Sequence, residues 1–169
     1  DHIGFATSGL VADGRQLVDR ARVECQINRI TYNHSIPVEV LTKKICDFKQ
    51  SFTQYGGSRP FGSALLIGGV GDDDIHLFET DPSGAYQSYH AGAIGSGRNA
   101  VIDHFETKWR KGMTLNAAVK LGLEALRLSL DADLISEAVD IAVIDGEGYK
   151  SLDHDQVVEH ISKLKPFEE

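Results

Sequence analysis

The chain has 169 residues, the length of one domain, with 41% hydrophobic residues and a formal net charge of −8. A mildly acidic chain with no basic stripe repels phosphates, which argues against nucleic acid as a partner. No apolar run approaches the ~18 residues a membrane span needs, and no secretory h-region is present, so no membrane role is expected. In chain order, residues 1–8 read as a strand, in which Ile3, Phe5 and Thr7 alternate with small residues. After Ser8-Gly9 the period becomes helical, with Leu17, Val18, Ala21, Cys25 and Ile30 on one stripe and an end near Tyr32-Asn33. Pro37 opens a second helix, where its missing N–H is harmless. Val38, Leu41, Ile45, Phe48, Phe52 and Tyr55 recur along it at steps of three and four, and Gly56-Gly57 stop it. That stripe lasts under three heptads, so it reads as packing on a neighbouring helix rather than a coiled coil.

Strands follow. Residues 63–70 form a nearly continuous apolar run, as in a strand covered on both faces. A turn through Gly71-Asp72-Asp73-Asp74 leads to residues 75–80, and Asp81-Pro82-Ser83-Gly84 suits a type I turn. Residues 85–93 read as the returning strand. A helix over residues 99–109 carries Val101, Ile102, Phe105 and Trp109. Another over 115–130 follows the cap Thr114 and is apolar around most of its circumference, which predicts a helix wedged between layers. Residues 139–144 and 149–152 read as a last hairpin. Asp153 and Gln156 have the spacing of a capping box for a final helix reaching Leu164. Paired helices between blocks of strands do not make βαβ units. The order β, αα, βββ, αα, ββ, α fits an α+β fold with two stacked antiparallel sheets and a helical layer outside each.

Motifs that resemble sites have plainer readings. Gly95-Ser96-Gly97-Arg98-Asn99-Ala100 matches G-x-G-x-x-A, but a second helix follows where a dinucleotide-binding unit needs a strand, so it reads as a tight strand-to-helix turn. Asp72-Asp73-Asp74 reads as a solvated hairpin turn rather than a cation loop. The basic run from Lys108 to Lys111 reads as the end of a helix. Cys25 and Cys46 lack Cys-x-x-Cys spacing and read as buried, reduced thiols of a cytoplasmic protein. The 7 histidines form no His-x-x-x-His pair with a nearby acid, so no metal or cofactor is expected. No Gly-x-Ser-x-Gly elbow exists for a serine nucleophile.

Four blocks together carry a family signature: Thr7-Ser8-Gly9-Leu10-Val11-Ala12-Asp13, Arg59-Pro60-Phe61-Gly62, Leu77-Phe78-Glu79-Thr80-Asp81-Pro82-Ser83-Gly84 and Ala93-Ile94-Gly95-Ser96-Gly97-Arg98. They resemble the non-catalytic α-type subunits of the proteasome, archaeal in style, from Asp1 to about Leu164. The resemblance implies a single domain over residues 1–169 with the four-layer αββα sandwich of N-terminal-nucleophile hydrolases. It is N-terminally incomplete, because the family's first helix and about three strands precede the position of Asp1. Catalytic members of that superfamily use a free N-terminal Thr, Ser or Cys whose own amine is the base, and neither Asp1 nor the internal Thr7 serves. The resemblance therefore implies a structural and gating subunit of a threonine protease complex. Its expected partners are other α-subunits in a heptameric ring, β-subunits, ATPase-type regulators and unfolded protein substrates. It also implies one site, at Gly9 and Leu10, where regulators insert apolar C-terminal tails; the basic residue that takes the tail carboxylate precedes Asp1. An equally good reading makes Leu10 the first core residue of a helix. Two other functions stay open: a β-type threonine peptidase that has lost its nucleophile segment, and a self-associating fragment. Arg59, Pro60 and Asp81 read as structural turn and junction residues.

Overall fold

In a computed structural model, residues 2–71 and 74–164 are described, and the chain forms two compact units. The first comprises Asp1–Gly95 with Ile144–Tyr149, and the second Ser96–Val143 with Lys150–Glu169. In the first unit, β1 (Ile3–Gly9), β2 (Ser63–Val70), β3 (Ile75–Thr80) and β4 (Tyr86–Ser88) make an antiparallel sheet in that order. Register is set by pairs such as Phe5 with Ile67 and Ile67 with Phe78. Two helices, α1 (Val11–Tyr32) and α2 (Val38–Gln54), cover one face. Their core is Leu17, Ala21, Leu41 and Ile45 against Leu65, Ile67 and Phe78. Burying each aliphatic side chain there contributes roughly 1.5–3 kcal/mol. Alternation along β2 puts Ser63, Leu65, Ile67 and Gly69 inside, while residues between them are only half-buried, so this strand is less enclosed than its apolar run predicts. Phe61, just before β2, locks the entry by packing its ring edge-on to Phe52, with centroids 4.9 Å apart.

Three expectations need correction within this unit. Residues 85–93 were read as a full strand, but only Tyr86–Ser88 pair with β3, because the chain turns away after the Tyr89 N–H reaches the Leu77 carbonyl. Ile30, in the last turn of α1, is 84% exposed, and Tyr55, where extended backbone has already ended α2 at Gln54, is 70% exposed. In their place, polar residues complete the buried stripe of α1. Glu24 is held by Arg20 and by Lys44 of α2, and Asn28 donates to the His34 carbonyl.

The second unit holds α3 (Arg98–Lys108), α4 (Leu115–Leu130), a 3-10 turn (Ser136–Ala138) and α5 (His154–Ser162). The chain between the 3-10 turn and α5 passes through β5 (Ala142–Asp145) and β6 (Gly148–Ser151), which pair as a hairpin. Leu123, Val139 and Val157 form this unit's core, with Leu134, Ile141 and Leu152 packed around them. The Thr114 hydroxyl caps α4 by accepting from the Ala117 N–H, and Asp153 with Gln156 closes a capping box on α5. Helix α4 is not enclosed on all sides within the chain. Leu121, Leu123 and Ala125 are buried, whereas Leu115, Leu128 and Leu130 are exposed. Across the described residues no helix is long and apolar enough to cross a membrane.

Candidate functional site

Gly9 and Leu10 lie where β1 gives way to α1. Gly9 closes the strand opposite Ser63 with φ 103°, a left-handed conformation that favours glycine, and a Cβ there would overlap the Gly62 carbonyl oxygen. Leu10 sits at the helix N-cap with extended backbone and no side-chain cap. Its N–H donates to Gly62 O at 2.9 Å, so it is tied to the segment leading into β2. Its side chain is 52% exposed and lies over Gly62, where a Cβ would come within 2.6 Å of Leu10 Cδ1. The reading of Leu10 as simply the first core residue of a helix does not fit that exposure. Val11 next to it is 81% exposed.

The same loop is anchored by a buried carboxylate. Asp13, in the first turn of α1, is 6% exposed. Arg59 Nη1 and Nη2 donate to its two oxygens at 2.7 and 2.8 Å, and the Gly62 N–H donates to Oδ2 at 2.8 Å. These bonds stabilise the ionised form and pull its pKa down from 3.8 to about 2, with the Arg59 hydrogen bond the largest cause. A negative charge at a helix N-terminus also suits the macrodipole. Each residue of Arg59-Pro60-Phe61-Gly62 thus has an account except the proline ring itself: Arg59 grips Asp13, Pro60 lends its carbonyl to Arg59 Nη1, Phe61 fills the core and Gly62 leaves room for Leu10. Asp13 and Gly62 were not expected at the junction. The available signal was the opposite charges of Asp13 and Arg59 in two blocks already singled out, but nothing in the sequence pairs residues so far apart.

Other candidates carry no chemistry of their own. Thr7 is an interior residue of β1 paired with Leu65, so its nitrogen is an amide in a ladder. Gly97 lies where a Cβ would come within 2.6 Å of Ser129 Cβ, so that glycine lets α3 approach α4 closely, in keeping with a structural rather than phosphate-binding turn. Asp72 and Asp73 of the proposed hairpin turn lie outside the described residues. Among the described residues no three His, Cys, Asp or Glu side chains are placed to hold a metal ion. Cys25 and Cys46 are free thiols. A cavity of about 590 Å³ opens between β1 and α1, lined in part by Phe5, Val18, Cys25, Arg29 and Tyr149.

Away from the junction, Lys49 of α2 is fully buried. Its Nζ donates to Ser63 O at 2.9 Å and to Thr80 Oγ1 at 3.0 Å, and desolvation lowers its pKa. Cys46, one turn earlier, is pushed up to about 11 by the same desolvation.

Residues 1–144 match the proteasome subunit family. The proteasome subunit alpha of Methanosarcina mazei is 51% identical over 166 residues, covering 97% of this chain and 67% of its own length. That of Methanothermobacter thermautotrophicus is 52% identical over the same shares. That of Archaeoglobus fulgidus is 52% identical over 171 residues, covering 100% of this chain and 66% of its own length. The chain thus spans about two thirds of the length of these curated relatives.

Proposed function

This chain belongs to the proteasome subunit family, and on that premise we propose that it is a non-catalytic α subunit that helps form and guard the entrance to a protein-degrading particle. The observation that carries this is identity of about half the residues, over nearly the whole chain, to proteins named as α subunits. A β-type peptidase is not favoured, since those relatives are α subunits and an internal Thr7 has no free amine to act as base. In this reading residues 1–169 act as one proteasome-type domain in the cytoplasm. Seven copies close into a ring on a ring of β-subunits, unfolded chains pass through the axial opening, and ATPase-type regulators dock on the outer face. Gly9 and Leu10 form part of the docking surface. Gly9, with its positive φ, turns the chain into α1 against Gly62, and the exposed Leu10 side chain beside it offers apolar area to a regulator's tail.

Native mass spectrometry tests the assembly. With a β-subunit from an archaeal relative, a species of sevenfold the 18.5 kDa of one chain, or a complex with β-subunits, is the expected result. A chain that stays monomeric and binds no β-subunit would overturn it. Turnover of fluorogenic peptides by the chain alone, abolished by a threonine-directed inhibitor, would favour the peptidase instead.

A further inference from the structure

We propose that Asp13, Arg59 and Gly62 are the positioning residues of the docking junction: a rigid clasp that sets the direction in which Leu10 is offered to an incoming apolar C-terminal tail. This rests on the reading of Gly9 and Leu10 as a docking surface. A half-exposed leucine at a strand-to-helix junction would ordinarily sample several rotamers and a mobile backbone, and a partner would have to order both on binding. Here three links remove that freedom. The Leu10 N–H is bonded to Gly62 O, the Gly62 N–H is bonded to Asp13 Oδ2, and Asp13 is gripped through both oxygens by Arg59. Peptide group 61–62 is thereby oriented at its nitrogen, and residue 62 receives the Leu10 amide on its carbonyl. Leu10 then rests over the bare Cα of Gly62. The planar two-pronged guanidinium suits this task, because a lysine would supply charge without fixing the carboxylate plane. The Arg59 side chain is itself 65% exposed, so the device sits at the surface beside the residues it orients.

The variants separate positioning from folding and from docking itself. Gly62→Ala leaves the ion pair and the backbone bonds in place, and its methyl would meet Leu10 Cδ1 at 2.6 Å and Cγ at 2.9 Å, so the Leu10 side chain as a whole must shift. Arg59→Lys keeps the charge and loses the fork. Asp13→Asn keeps an oxygen for the Gly62 N–H and loses the ion pair. Each is made in the full chain and titrated with a short synthetic peptide that ends in aliphatic residues and an amidated C-terminus, so that apolar contact alone is tested, read through the Leu10 methyl resonances. Leu10→Ala serves as the control for docking. Expected results are a shift of the Leu10 methyls by peptide in the parent and about tenfold weaker binding in Gly62→Ala and Arg59→Lys. The parent melting temperature should be retained in Gly62→Ala. Leu10 amide exchange should also quicken in Arg59→Lys and Asp13→Asn before any peptide is added.

If the parent binds the peptide and Leu10→Ala abolishes binding, yet Gly62→Ala and Arg59→Lys bind like the parent, the clasp has no positioning role. If the parent shows no peptide response, or Leu10→Ala binds as well as the parent, the docking reading itself fails and takes the inference with it. Unchanged Leu10 amide exchange in Arg59→Lys and Asp13→Asn overturns the clasp in either case.

Discussion

Asp13 and Lys49 are both ionisable residues withdrawn from water in the same unit, and both bind at the start of β2, Asp13 accepting from the Gly62 N–H and Lys49 donating to Ser63 O. They are compensated in opposite ways. Asp13 keeps a full charge because an opposite charge and a backbone N–H converge on it, and its pKa falls to about 2. Lys49 meets only a carbonyl and a hydroxyl, and among the described residues it has no carboxylate in ion-pair range. Desolvation therefore dominates, and its pKa is lowered toward the neutral amine. The first arrangement fixes geometry at a surface, where a partner can use it. The second ties α2 to the ends of β2 and β3 inside the core. The two differ in what their partners reach: those of Asp13 lead to the exposed Leu10, and those of Lys49 stay inside the core.

Breaking the inner tie should have the larger effect. Lys49→Ala opens a void and leaves the Ser63 carbonyl and Thr80 hydroxyl short of a donor, so a loss of ~3–5 kcal/mol is expected in urea unfolding. Lys49→Met restores most of the volume but not the donors and should cost about 2 kcal/mol. Equal losses for the two would mean that the missing donors, not the packing, set the cost there.

Alkaline pH sharpens the contrast. Lys49's folded pKa lies below 10.5, so between the two values the unfolded chain holds more protons and stability rises with pH. Cys46 works the other way, because its folded pKa of about 11 exceeds 9.0 and stability falls as pH climbs through that window. Lys49→Met should therefore expose a steeper alkaline decline, and Cys46→Ala a shallower one, in denaturation curves taken from pH 8 upward. Of these two arrangements, it is the outer pair that responds in acid. Asp13's stabilisation is fully present above 3.8 and fades as pH falls toward about 2, so Arg59→Met should narrow the acid-stable range. A smaller effect is chemical. With its thiol pushed up and its side chain 1% exposed, Cys46 should react with iodoacetamide at pH 8 far more slowly than Cys25, as peptide mass mapping would show.

Much of this fold could be read in the sequence wherever the determinant is local. Thr114 and Leu115 to Leu130 gave a helix with its true bounds, and the Asp153-Gln156 spacing gave a capping box, because caps and periodicity act within a few residues. Residues 85–93 failed because the chain turns away after the Tyr89 N–H reaches the Leu77 carbonyl, although β3 itself runs on to Ile75. Ile30 failed because the helical period runs on into the last turn of α1, where that side chain is exposed. At the junction, Gly9 and Leu10 came from a family resemblance. Asp13's role was invisible, since its partner is 46 residues away and only the fold brings them together.

That separation also sets when the clasp forms. Joining residues 46 positions apart closes a long loop, whose chain entropy must be spent before the bonds return anything. Helices α1 and α2 and the β2–β3 pairing are local by comparison and should already be present at the folding barrier. The Asp13–Arg59 pair is then a late contact with a φ-value near zero. Arg59→Met should leave the refolding rate almost unchanged and quicken unfolding, so the ion pair at the entrance to α1 acts mainly as a kinetic latch on the finished structure.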